Sequence, residues 1–168
     1  MENMRKKKLI SILKLIGIKS ISDIKESENT EGDDNSFELR LRIQKIMYFL
    51  ISKKLDSDLN YSYSIYLRGP YSPDLSKDYF DIFDDELRNT EDVIGESSPL
   101  RPCIEQLNKK DTLWLEIAST LRSFMNAGYN EKKAIKRVLE FKEEILNENK
   151  KDYTYVEKVL KEMKDSGL

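Results

Sequence analysis

The sequence contains no histidine, a single cysteine, four prolines and six glycines in 168 residues. Without histidine, the usual near-neutral general base and the commonest metal ligand are both missing. Cys103 excludes an internal disulfide framework and fits a reducing cytosol. With no histidine to activate it, its thiol reads as a buried spectator rather than a nucleophile. Gly69 and Gly95 stand alone, so there is no glycine-rich loop to cradle a phosphate. No apolar run reaches the roughly 18 residues that a membrane-spanning helix needs. The basic and then apolar stretch 1–17 superficially copies a leader. Lys14 interrupts its apolar part and no small-residue cleavage site follows, so an amphipathic first helix is the better reading. These absences lead us to expect no catalytic residues, no cofactor and no metal: a cytoplasmic protein that is not an enzyme.

What the chain does have is charge and helical periodicity. Charged residues make up 36% and hydrophobic residues 39% of the sequence, with a net charge of −2. No global basic field therefore argues for nucleic acid. Sparse proline and glycine favour helices over a turn-rich β architecture. Leu39, Ile43, Ile46, Met47, Leu50 and Ile51 recur at three- and four-residue spacing, which predicts a helix over about 37–55 pressed into a core. Asn35, with Glu38 three residues on, reads as its capping box. Tyr48 and Phe49 widen the stripe, so this helix is expected to be covered on more than one side and to be central.

Around it the pattern predicts a first helix over 5–16 and a polar, acidic, mobile loop near 23–36 that lacks the apolar area to offset ordering entropy. Tyr61, Tyr63, Ile65 and Leu67 alternate with polar residues, suggesting a short half-buried strand over 61–67. Val93–Ile94 is the available partner for it. Ser72–Pro73 places a cap before a proline that opens a third helix, with Leu75, Tyr79, Ile82 and Phe83 on one face. Residues 88–102 read as a loop. A short turn at Ile104–Leu107, a helix from Asp111, a helix from Asn130 through Leu146, and one capped by Thr154 and Glu157 complete the chain. The expected fold is mainly α: a single domain over 1–168, a compact bundle of about six helices with a small two-stranded β element near 61–67.

Two constellations could bear function. Asp74, Asp78, Asp81 and Asp85 have helical spacing, but oxygen-ligand cation sites wrap a loop or converge from several elements, so a solvated face is the plainer reading. Arg40, Arg42, Lys45 and Arg68, with Tyr61, Tyr63, Tyr66 and Tyr71, could contact phosphates and stack on bases. Against this, the tyrosines could equally be core or strand-face residues, and the acidic third helix would repel phosphates. A nucleic-acid-binding accessory module is thus the alternative reading, and a disfavoured one. The rigid Gly69–Pro70–Tyr71 turn, with Arg68 beside it, is the preferred candidate for a protein-contact surface. Tyr71 could also fold inward, leaving the turn to cap the next helix through Ser72.

The segments Gln44-Lys45-Ile46-Met47-Tyr48 and Gly69-Pro70-Tyr71-Ser72 together resemble the YwgA-like and SocA-like proteins, the group that includes the Panacea antitoxin domain. Trp114-Leu115-Glu116 and the stretch from Gly128 to Ala134 are similar to the C-terminal helices of the YwgA-like branch. The resemblance covers about residues 37–146 and implies a compact, mainly helical cytosolic domain. In some members such a domain neutralises a toxin or accompanies phage functions. It carries over no catalytic residue. The chain departs from the small antitoxin form in its acidic loop, its long 84–102 connection and its last helix. Gln44 and Lys45 of the motif either reach a partner or hold the Gly69–Pro70 backbone. The resulting expectation is a protein-binding regulator whose partner is a toxin or another regulatory protein. Its contact residues would be Arg68, Gly69, Pro70, Tyr71, Gln44 and Lys45. Self-association is left open.

Overall fold

The structure is a computed structural model that describes residues 2–25 and 34–168. Most of the acidic loop foreseen near 23–36 therefore lies outside the described residues. Helix α1 (Glu2–Ile16) leads into a single 3-10 turn (Ile21–Asp23), and α2 (Asp34–Ser52) follows. Strands β1 (Ser64–Tyr66) and β2 (Gly69–Tyr71) form the sheet, and α3 (Pro73–Phe80), α4 (Asp84–Asn89) and α5 (Leu100–Asn108) come next. Helices α6 (Thr112–Asn126), α7 (Glu131–Phe141), α8 (Glu143–Glu148) and α9 (Tyr153–Asp165) end the chain. The fold is mainly helical with one small antiparallel sheet, as the periodicity suggested. Among the described residues no helix is long and apolar enough to cross a membrane.

Helix α2 is indeed the sequestered element. Ile43, Ile46, Met47, Phe49 and Leu50 are all fully buried. It packs against α5, α6 and β2, while α6 in turn packs against α7, α9 and β2. The two helices thus form a central pair with the hairpin laid over them. Helix α6 is buried on every side from Trp114 to Leu121, including Glu116, Ser119 and Thr120. A helix that wholly buried has to satisfy its polar side chains internally.

Several boundaries differ from the expectations for reasons visible in the contacts. The partner of β1 is not Val93–Ile94 but the adjacent β2, in the register Ser64↔Tyr71, Ile65↔Pro70 and Tyr66↔Gly69. The Val93 N–H instead donates to Ser11 Oγ at 3.1 Å and that of Ile94 to Asp92 at 2.8 Å. The foreseen third helix stops at Phe80 and restarts at Asp84, because Asp84 accepts the Ile21 N–H at 2.7 Å and thereby ties this corner to the 3-10 turn. The acidic face is only partly solvated: Asp78 takes the Tyr61 hydroxyl at 2.8 Å and Arg5 at 2.9 Å, and Glu86 takes Lys6 at 2.7 Å. Arg5 and Lys6 of α1 are thus matched to carboxylates of α3 and α4, while Lys8 pairs with Asp56 and Asp58 in the segment after α2. The foreseen fifth helix breaks into α7 and α8 at Lys142, and the turn at 104–107 is a full helix, α5. With these changes the described residues hold nine α-helices rather than about six. Helix α2 starts at Asp34, which puts Asn35 inside it, and Asp152 rather than Thr154 caps α9 by accepting the Thr154 N–H at 3.0 Å.

Candidate functional site

The hairpin joins its strands through Leu67 and Arg68, residues with no turn preference of their own. Its shape is imposed from beneath, one backbone group at a time. From α2, the Gln44 amide donates to the Ser72 carbonyl at 3.0 Å and accepts the Ser72 N–H at 2.9 Å. The next residue, Lys45, donates from Nζ to the Pro70 carbonyl at 2.8 Å. From the α7–α8 junction, Lys142 Nζ reaches the Leu67 carbonyl at 2.9 Å. Ser72 then caps α3 by accepting the Leu75 N–H at 3.3 Å. These residues settle one question raised by the motif: Gln44 and Lys45, each only 1% exposed, hold the turn.

Gly69 permits the close approach. Its φ is +94°, and a Cβ placed there would stand 2.6 Å from Thr120 Oγ1 of α6 and 3.4 Å from Lys45 Nζ. A side chain is excluded both by conformation and by space.

Below the tip sits a charged cluster centred on Glu116. Arg68 donates to its carboxylate from Nε at 3.0 and 3.1 Å and from Nη2 at 3.0 Å, a bidentate fork. Lys142 donates to Oε1 at 2.8 Å. Glu116 and Lys142 are buried at 1% and 2% exposure. Two cations thus bond one carboxylate, and Lys45, on the Pro70 carbonyl, also feels its charge. Burial pushes the Lys45 ammonium down to about 7; Glu116 opposes that shift, while Lys142 and Arg68 add to it. Burial likewise lowers Lys142 against the pull of Glu116. A lysine near neutrality has the acid–base character of a catalytic group. Lys45, however, lies behind Gly69 and Pro70 and lines neither of the grooves beside the hairpin. In the structure the cluster holds the β-turn through the Pro70 and Leu67 carbonyls. Cys103 is also buried, and burial raises its thiol pKa, so the reactive thiolate is disfavoured.

The outer side of the same hairpin is apolar and exposed. Leu67 is 82% and Tyr66 50% exposed. Tyr71 is half-buried with its ring edge-on to Tyr66 at 5.4 Å. The Arg68 side chain is 39% exposed and lies 5.5 Å over the ring of Phe37. Two grooves flank the tip. One, of about 220 Å³, runs past Leu67, Phe141 and Ile145; the other, of about 550 Å³, past Phe37, Leu41, Leu113, Ile145 and Tyr155.

Of the six residues expected to meet a partner, the structure brings all together at the hairpin but leaves only Arg68 and Tyr71 at the surface; Gln44, Lys45, Gly69 and Pro70 support them from inside. The basic set considered for nucleic acid is dispersed. Arg40 donates to the Ile24 carbonyl at 2.8 Å, Arg42 to the Lys110 and Asn108 carbonyls at 2.7 and 3.0 Å, and Lys45 and Arg68 belong to the cluster just described. Tyr61 and Tyr63 are tied inward, to Asp78 at 2.8 Å and to the Gln44 carbonyl at 3.1 Å. Sequence reasoning missed Glu116 as a site residue, although a carboxylate inside the run Leu113–Ala118 was a signal of internal pairing. It also missed Lys142, for which a helix rich in lysine and glutamate holds no signal. No family model matches the sequence, and neither the curated proteins nor the solved structures offer a significant match.

Proposed function

We propose that this chain is a non-enzymatic protein-binding regulator that receives its partner across the tip of the β-hairpin. One observation carries the proposal: Leu67, the most exposed large apolar side chain among the described residues, sits on a turn held by buried side-chain hydrogen bonds from α2 and the α7–α8 junction. A buried polar network is a costly way to support a loop with no role, whereas a rigid apolar projection beside a planar arginine suits a binding hot spot. Exposed Tyr66 and Phe37 on either side extend the patch. The resemblance to the YwgA-like and SocA-like group supports the same reading and makes a toxin one candidate partner, with an antitoxin-like or phage-defence role. The test is Leu67→Asp, chosen because an exposed position tolerates it. Affinity capture from the native cell with wild type and variant, alongside thermal melts, should give unchanged melting and loss of the captured partner. Undiminished capture by a folded Leu67→Asp protein would refute docking at the tip.

A further inference from the structure

The hairpin has two outer edges, and only one of them is closed. In the register Ser64↔Tyr71, Ile65↔Pro70 and Tyr66↔Gly69, the middle pair exchanges no ladder bonds, because Pro70 has no N–H to give. The backbone groups of Ile65 and Pro70 therefore point away from each other, one set to each edge of the sheet. On the β2 side, Lys45 takes the Pro70 carbonyl and Gln44 takes both backbone groups of Ser72. On the β1 side, the Ile65 N–H and C=O have no partner among the described residues. Since β2 is the strand that packs on α2 and α6, β1 lies outermost, and Ser64, Ile65 and Tyr66 are all exposed.

Natural proteins blunt such edges with charged side chains or proline. Strand β1 has neither. No residue from Tyr61 to Leu67 is charged, in a chain that is 36% charged. Ile65, Tyr66 and Leu67 are also the only consecutive large apolar residues left exposed among those described. We infer that the open edge of β1 pairs with the same edge of a second copy of this chain, antiparallel and about a two-fold axis at Ile65. The two Ile65 residues then exchange both N–H···O bonds across the axis. Ser64 of each copy stands opposite Tyr66 of the other, and Leu67 opposite Tyr63. The edge is its own complement, because this register sets no charge against a like charge. It also closes: with Gln44 and Lys45 occupying the outer edge of β2, the four-stranded sheet has no free edge for a third copy. This inference goes beyond the protein-binding reading above and does not depend on it.

The experiment uses the purified full chain. Sedimentation equilibrium from about 1 μM to about 1 mM should show the mass rise with concentration from the 19.8 kDa of one chain to twice that. Ile65→Lys sets two ammonium groups face to face at the axis, and Ile65→Glu two carboxylates. Each variant alone should self-associate at least about tenfold more weakly, and an equimolar mixture of the two should dimerise again. Phe83→Lys, which charges another exposed apolar site, should leave the equilibrium unchanged. In the wild type, hydrogen exchange at the Ile65 amide should slow as concentration rises. A single-chain mass throughout, dimerisation undiminished in both Ile65 variants, equal weakening by Phe83→Lys, a mixture that stays monomeric, or Ile65 exchange independent of concentration would overturn the pairing. None of these outcomes bears on docking at the tip, which fails separately, when Leu67→Asp retains its partner.

Discussion

Gln44 and Ser72 exchange two buried hydrogen bonds, the side-chain amide of one pairing with the backbone N–H and C=O of the other at 2.9 and 3.0 Å. The amide thus mimics a strand edge, extending the ladder of β2 onto a helix. This pairing anchors the hairpin at its base as Lys142 anchors it at its tip.

Gln44→Ala is expected to destabilise the protein by leaving both Ser72 groups unpaired, at about 1–3 kcal/mol for each orphaned group. Chemical denaturation measures it. A loss below about 0.5 kcal/mol, the range of ordinary surface changes, would mean that the pairing contributes little.

Gly69→Ala should cost more than the roughly 1–2 kcal/mol of left-handed backbone strain, because the new methyl also meets Thr120 Oγ1. Thr120→Ala removes that obstacle but not the strain. In a double-mutant cycle the pair is expected to be less destabilised than the sum of the singles. Additivity would show that α6 gives way without cost.

The stability of the wild type should depend on pH through Lys45. Its pKa falls from the ordinary 10.5 to about 7 on folding. Between those values the unfolded chain binds the proton and the folded one does not, so stability rises with pH across that window. It is greatest above about 10.5, lost progressively as pH falls to about 7, and level below. Lys45→Met removes this slope, leaving a smaller one of the same sign from Lys142, which burial also lowers. Denaturation free energies of the two proteins at roughly pH 6, 7, 8, 9 and 10, from just below the window to near its top, test it. Parallel curves would mean that Lys45 keeps its proton.

Leu50→Ala, fully buried in α2, should cost about 2–5 kcal/mol, whereas Leu67→Ala at the exposed tip should stay within about 0.5 kcal/mol of wild type. Equal melting temperatures for the two variants would contradict the placement of α2 at the centre.

The sequence by itself determined the mainly helical class and the helix at its centre. The burial of α2 is written in the spacing of Ile43, Ile46, Met47 and Leu50, because helical periodicity is a local property and the apolar face it creates has to be covered. The cap at Ser72–Pro73 is local too, set by one hydroxyl and the fixed φ of proline, whereas the Gly69–Pro70–Tyr71 segment read as a turn is strand β2, paired with β1. Only the tertiary structure decided the rest. Leu67–Arg68 has none of the glycine or asparagine chemistry that marks a hairpin, so its register depends on carbonyls caught by Lys45 and Lys142 from far along the chain. The ends of a predicted helix moved wherever a distant group intervened, as Asp84 did at Ile21. The site was hidden for the same reason. Lys142 looks like a solvent-facing charge in an amphipathic helix, and an ion's burial depends on whether an opposite charge and free carbonyls arrive beside it in space. Lys142 meets Leu67 across 75 positions of sequence, a pairing on which local pattern has no bearing.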